Sequence, residues 1–253
     1  MGTYIAGDNI ITSLGFTTAA NFEKISKGET GVTMANDHIL YPEPFPASLI
    51  NKSMLNSAAS EKSIDISYTR YEQLIILSVS EAMKNLNIDL SSPRTLMILS
   101  TTKGNIDLLK DNRGFPADRV HLWTSAREIG RYFQTYRTPL VVSNACISGV
   151  LALITGHRMI EHGKYDHVVV CGCDVLSEFI VSGFQSFFSL SKEVCKPFDK
   201  DRTGLTLGEG VGTIVLTSKK TICPEPFIEV ITGSGSNDAN HISGPSRTGE
   251  GLY

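Results

Sequence analysis

Residues 139–171, PLVVSNACISGVLALITGHRMIEHGKYDHVVVC, change periodicity twice. Pro139 to Ser143 is a short apolar run suited to a strand. After Cys146, apolar residues recur at helical spacing as far as Gly163, and glycine commonly ends a helix. His167 to Cys171 is again a continuous apolar run, the pattern of a strand buried on both faces. Strand, helix and strand in that order form a βαβ unit. The unit puts Cys146 at the turn where the first strand becomes the helix.

Outward from this unit the alternation continues. Tyr68 to Leu86 carries a broad helical stripe and leads into the apolar strand Thr95 to Leu99. Thr101 to Leu109 and Thr124 to Tyr136 read as helical segments around a polar stretch with Gly114 and Pro116. The chain begins as a strand from Thr3 to Gly7, a second extended piece ending near Leu14, and a helix from Thr18 to Lys27 that stops at Gly28. Residues 41–63, with Pro42, Pro44 and Pro46, read as a loop or lid. Beyond a glycine-punctuated stretch, 182–212, strands are expected at Thr213 to Leu216 and Phe227 to Ile231, as antiparallel neighbours. The last residues, GPSRTGEGLY, read as a loop with the first turn of another helix.

Composition narrows the function classes. The 253 residues are 41% hydrophobic and 19% charged with a net charge of −3, an ordinary globular balance without the basic excess of nucleic-acid binding. Met1 to Ile5 lacks a basic region followed by an apolar core, and no stretch reaches ~18 unbroken apolar residues. A cytoplasmic protein with neither a nucleic-acid nor a membrane partner is expected. Five cysteines, an odd number, fit reduced thiols better than a disulfide framework. Cys171-Gly172-Cys173 is a C-x-C pair without a second pair, so no metal is expected.

Cys146 has two readings on local pattern alone. A thiol at a strand-to-helix turn sits beside the unsatisfied N–H groups of the helix start, which favour a thiolate. Its neighbours Asn144, Ala145, Ser148 and Gly149 are small or turn-tolerant, as a tight elbow requires. Gly149, Ala152 or Leu153, and Gly156 lie close to one helix face and permit near contact with another backbone. The other reading is a small apolar residue that fills the turn. Acyl transfer by cysteine usually draws on a histidine. His157 lies roughly 16 Å along the helix at ~1.5 Å per residue, and His162 lies further. His38 and His121 fall in polar loops and His167 opens a strand. Only His241, in SNDANHISGP, follows the strands and has a route to the site.

Two long motifs carry a family resemblance. NACISG (144–149) resembles the nucleophile motif of the β-ketoacyl-acyl-carrier-protein synthases, condensing enzymes of the thiolase superfamily. KPFDKDRTGLTLGEGVGTIVL (196–216) is similar to that family's second signature. SGFQSFFSLS (182–191), GSNDANHISGP (235–245), IITSLGFTTAANFEKISKGETGV (10–32) and YTRYEQLIILSVSEAM (68–83) resemble further family segments, in the same order. The resemblance implies an α/β, thiolase-like layered α/β/α fold. It further implies that 1–253 is the synthase N-terminal domain with the start of the C-terminal half, cut before the second half that bears two catalytic histidines and a lysine.

The resemblance also implies chemistry. Cys146 takes an acyl group from a carrier-protein or coenzyme thioester, and a malonyl thioester then condenses with it after losing carbon dioxide. The Cys146 N–H is half of the oxyanion hole. Phe184, Phe187 and Phe188 line or cover the acyl channel, or else simply pack in a core. Asp199, Arg202 and Glu209 are expected as buried structural polar residues. Lys103 stands where relatives have a glycine-rich turn, and either marks a short, polar or polyunsaturated substrate or points to solvent. Implied partners are acyl carrier protein, acyl and malonyl thioesters, and a second copy or a related synthase subunit; no cofactor is implied. The rival within the fold is a non-catalytic subunit similar to chain-length factors, against which the cysteine at 146 argues.

Overall fold

Alternation along two strands fixes the layers. The computed structural model describes residues 2–236 and 248–249, so His241, most of GSNDANHISGP (235–245) and most of the expected loop and helix start GPSRTGEGLY (244–253) lie outside the described residues. The elements in order are β1 (Thr3–Ile11), α1 (Thr18–Ser26), β2 (Thr33–Ala35), β3 (Phe45–Ser48), α2 (Lys52–Glu61), α3 (Arg70–Ala82), β4 (Thr95–Ser100) and α4 (Leu122–Tyr132). They continue as β5 (Leu140–Val142), α5 (Ser148–Glu161), β6 (His167–Asp174), α6 (Glu178–Ser186), β7 (Leu207–Gly208), β8 (Gly210–Thr217) and β9 (Glu229–Val230).

Six strands make one sheet in the order β5-β4-β6-β8-β1-β9. β5, β4 and β6 run parallel, while β8, β1 and β9 are each antiparallel to their neighbours. On one face Met97 and Leu99 of β4 and Val169, Cys171 and Cys173 of β6 pack beneath α3 and α4. On the other, Leu96, Ile98, Val168, Val170 and Leu216 pack against Ala152 and Ile160 of α5. Successive strand residues thus serve opposite layers, so both strands are apolar throughout. α5 lies close to the sheet because Gly156 has no side chain: a Cβ there would sit 3.0 Å from Leu216 and 3.1 Å from Val168.

Buried charge ties the segments around the parallel strands. Arg119 donates to both carboxylate oxygens of Glu72 at 2.8 Å and to the Ser67 carbonyl. Glu72 also accepts from the Thr69 N–H in a capping box at the start of α3. Asn105 donates to Glu72, Ser125 and the Arg119 carbonyl, so residues 101–125 are pinned to α3.

Several expectations differ from this architecture. Residues 41–63 are not a loop: they hold β3 and α2, whose Asn51 cap accepts from Ser53 and Met54 N–H groups while Leu55 and Ala59 are buried. The polar surface of α2 hid a two-residue apolar stripe. β1 is one strand to Ile11 rather than two pieces, with an irregularity between Ile5 and Gly7. Thr101 to Leu109 is helical only as a 3-10 turn at Ile106–Leu109, because the Thr101 hydroxyl accepts from the Lys103 and Gly104 N–H groups in a turn. α6 begins before the glycine-rich stretch, capped by Ser177. β8 and β9 are not neighbours, since β1 lies between them.

Candidate active site

Parallel strands leave their carboxyl ends together, and in open α/β sheets ligands bind outside those ends. Here β4, β5 and β6 end at Ser100, Val142 and Asp174. Alternation sends Ser100, Gly172 and Asp174 to the α5 face. A Cβ on Gly172 would sit 2.7 Å from Ser100 Oγ, so the floor there is bare backbone by necessity. Over this floor the chain turns from β5 into α5.

The turn is built by its own hydrogen bonds. Ser148 Oγ donates to the Ala145 carbonyl and accepts from the Asn144 N–H, both at 2.8 Å. Ala145 has φ +44°, the left-handed region that a non-glycine residue rarely adopts. No side chain caps α5, whose first-turn N–H groups therefore remain at the elbow beside Cys146. Ala145, Cys146 and Ser148 join Ser100, Gly172, Asp174 and Gly210 around a cavity of about 250 Å³.

The five thiols differ sharply in setting. Cys146 is exposed, Cys195 and Cys223 are half-buried, and Cys171 and Cys173 are buried. Burial pushes Cys171 up to about 12, even with the Thr213 hydroxyl donating to its sulfur at 3.2 Å. Burial likewise holds Cys173 far above the ordinary thiol range, and raises Cys223. Cys146 alone combines exposure with a helix start.

Asp174 was not singled out by the sequence. It opens to solvent at the cavity mouth, yet the surrounding walls remove enough water that burial raises its carboxyl pKa. The Thr101 hydroxyl, donating to Asp174 Oδ1 at 2.8 Å, and the Lys103 ammonium pull the other way. No periodicity marked Asp174, since β6 is buried on both faces as far as Cys171 and only its pairing with β4 shows the face that Asp174 takes. Lys103 is half-buried, with its ammonium 2.5 Å from the Thr102 hydroxyl, rather than simply turned to solvent.

Other expected residues lie elsewhere. Phe184 is half-buried at the end of α6, and Phe187 and Phe188 are 69% and 90% exposed; none lines the Cys146 cavity. Glu209 is buried as expected, taking the Ile50 and Leu176 N–H groups and pairing with Arg70. Asp199 and Arg202 are exposed, not buried, and the Arg202 guanidinium donates locally, to the Asp199 carbonyl at 2.8 Å. His157 is buried against the Thr3 hydroxyl at 2.9 Å. A larger groove of about 990 Å³ lies between 37–40, 106–113 and α6, with Ile39, Leu109, Val175 and Phe179 on its walls. It too went unseen, since its walls come from three distant segments. Among the described residues no cluster of His, Cys, Asp and Glu is suited to a metal, and no helix is long and apolar enough to cross a membrane.

Known proteins resemble this chain in sequence and fold. Residues 59–221 match the family model "Beta-ketoacyl synthase, N-terminal domain". The 3-oxoacyl-[acyl-carrier-protein] synthase 2 of Vibrio cholerae is 32% identical over 122 residues, 44% of this chain and 30% of the relative. The protein of the same description from Rhizobium meliloti is 32% identical over 123 residues, 44% of this chain and 29% of the relative. A ketosynthase solved in complex with its chain length factor, from Xenorhabdus doucetiae, superposes with a TM-score of 0.83 at 25% identity. That likeness covers 99% of this chain and 65% of that one, so the chain spans less than two thirds of the solved ketosynthase. The ishigamide ketosynthase/chain length factor has the same fold, with a TM-score of 0.84 at 22% identity over 99% of this chain and 68% of that one. The fold is that of the thiolase-like ketosynthases, and by the match over 59–221 the chain belongs to the β-ketoacyl synthase family.

Proposed function

We propose that this chain carries the nucleophile half of a 3-oxoacyl-acyl-carrier-protein synthase, with Cys146 as the acyl acceptor. The observation that carries the proposal is an exposed thiol at the uncapped start of α5, in an open cavity floored by bare backbone. In the first step the Cys146 sulfur attacks a thioester carbonyl. A bond forms from Cys146 Sγ to the acyl carbon, the donor's carbon–sulfur bond breaks, and the thiol proton ends on the departing thiol. The Cys146 N–H takes the oxygen's developing charge. In the second step a malonyl thioester loses carbon dioxide, its carbanion attacks the acyl carbonyl, and Cys146 departs as a thiolate.

The second step draws on groups outside this cavity, whose described lining holds no histidine or lysine. We assign those groups to a second α/β half that covers α5. Support comes from the start of α5, which is apolar, with the N-cap Ile147 and the first-turn Val150 staying 42% and 57% exposed. A helix of that kind belongs between two layers. The same cover would bury Phe187 and Phe188, leaving them with Phe184 around the acyl group. An acyl carrier protein as donor and a second copy or related subunit as partner complete the proposal. The rival role, a non-catalytic subunit, has no use for an exposed thiol at this elbow.

The test is peptide mass spectrometry of the full-length gene product after incubation with an acyl-carrier thioester. An acyl mass on the Cys146 peptide, absent from Cys146→Ala, is expected. No adduct on Cys146 under conditions that acylate a known synthase sinks the proposal. Residues 1–253 alone are expected to acylate without condensing; condensation by this polypeptide by itself refutes the assignment to a second half.

A further inference from the structure

Asp174 and Cys146 share one small cavity, and the acyl transfer above makes no use of the carboxylate. Strand register and one hydrogen bond fix its position. The register of β6 delivers it to the α5 face two residues beyond Gly172, and the Thr101 hydroxyl fixes Oδ1 at 2.8 Å. Ser100, Ser148 and the glycines complete the walls without a cation among the described lining residues. The charges acting on Asp174 from other elements are the Lys103 ammonium, held on the Thr102 hydroxyl, and the positive start of α5.

We infer that Asp174 is a specificity-determining residue: its carboxylate bars anionic acyl groups from Cys146, so the thiol accepts uncharged acyl groups and rejects those ending in a carboxylate. This rests on Cys146 being an acyl acceptor. The physical argument is repulsion between like charges confined to one small cavity, which is strong where walls displace water and weakens toward the open mouth. Rejection by a fixed like charge is a usual way to gain specificity. A condensing site needs such a device, because it must hold an uncharged acyl group and a carboxylated one in different places. Lys103 offsets part of the field and so sets how strict the exclusion is.

The test compares two reagents of nearly equal size, iodoacetamide and the anion iodoacetate, at Cys146 of the full chain at pH 8, read by peptide mass spectrometry. Both meet the same thiol, so any effect of Asp174 on thiol ionisation cancels in the ratio of their rates. Relative to the ratio at 2-mercaptoethanol, Cys146 should favour the neutral reagent by about tenfold. Asp174→Asn should bring the ratio back to that of the free thiol, and Lys103→Met should widen it. An unchanged ratio in Asp174→Asn overturns the inference. If that variant does not fold, Lys103→Met decides, and an unchanged ratio there is equally fatal. A second arm offers acetyl and malonyl thioesters of N-acetylcysteamine: the wild type should take acetyl alone, and Asp174→Asn both. A charge effect on alkylation without any acylation refutes the proposed function and leaves the exclusion standing. Acylation without the charge effect refutes the exclusion alone.

Discussion

At Cys146 the outcome depends on one neighbour. Ala145 holds a left-handed backbone that costs a non-glycine residue on the order of 1–3 kcal/mol, offset by the Ser148 hydroxyl and the turn bonds. Ala145→Gly should keep both stability and the alkylation rate of Cys146. Ala145→Val should lose roughly 2 kcal/mol in denaturant unfolding and slow the alkylation, since a β-branched residue tolerates positive φ poorly. Equal stability of the valine variant would mean that the elbow is not strained. The motif NACISG exposed this residue in the sequence, because small residues before a helix leave few local solutions. Asp174 was hidden: an acidic residue at the end of an apolar run reads as the strand's edge, and only the pairing of Gly172 with Ser100 shows that it faces the elbow.

Among the elements, βαβ units were legible and short polar elements were not. α3, β4, α5 and β6 each carry an unbroken apolar pattern, and tertiary packing agrees with it. α2 and α6 owe their existence to caps at Asn51 and Ser177 and to two buried side chains each, a signal too small to outweigh surrounding proline, serine and glycine. The order of β8, β1 and β9 depends on partners 200 residues apart along the chain, which periodicity does not encode. The contact between α5 and the sheet is testable. Gly156→Val on α5 should destabilise by about 2 kcal/mol through overpacking against Leu216 and Val168. A neutral result would show that α5 moves freely on the sheet.

For the whole molecule, pH enters through His167 at the start of β6. Burial, then Lys219, lowers its pKa in the folded state, with Asp166 opposing, and its Nδ1 has no partner among the described residues. A histidine depressed on folding stabilises the fold above its ordinary value and withdraws that contribution as pH falls through about 6.5. The thermal midpoint should therefore drop between pH 7.5 and 5.5, and His167→Gln should flatten that drop; an equally steep fall in the variant would assign it to other groups. Asp166, lowered by its bond from Arg94, acts only at more acid pH.

The proposed function makes Cys146, at the ends of the parallel strands, the one reactive thiol, and protection of that thiol tests the account most directly. The full chain is first treated with an uncharged acyl thioester, then pulsed with iodoacetamide, and all five cysteines are mapped by mass. The account expects Cys146 alone to lose its label, to regain it after hydroxylamine, and Cys195 and Cys223 to label as before. Undiminished labelling of Cys146, or protection spread equally over the three accessible cysteines, would contradict it.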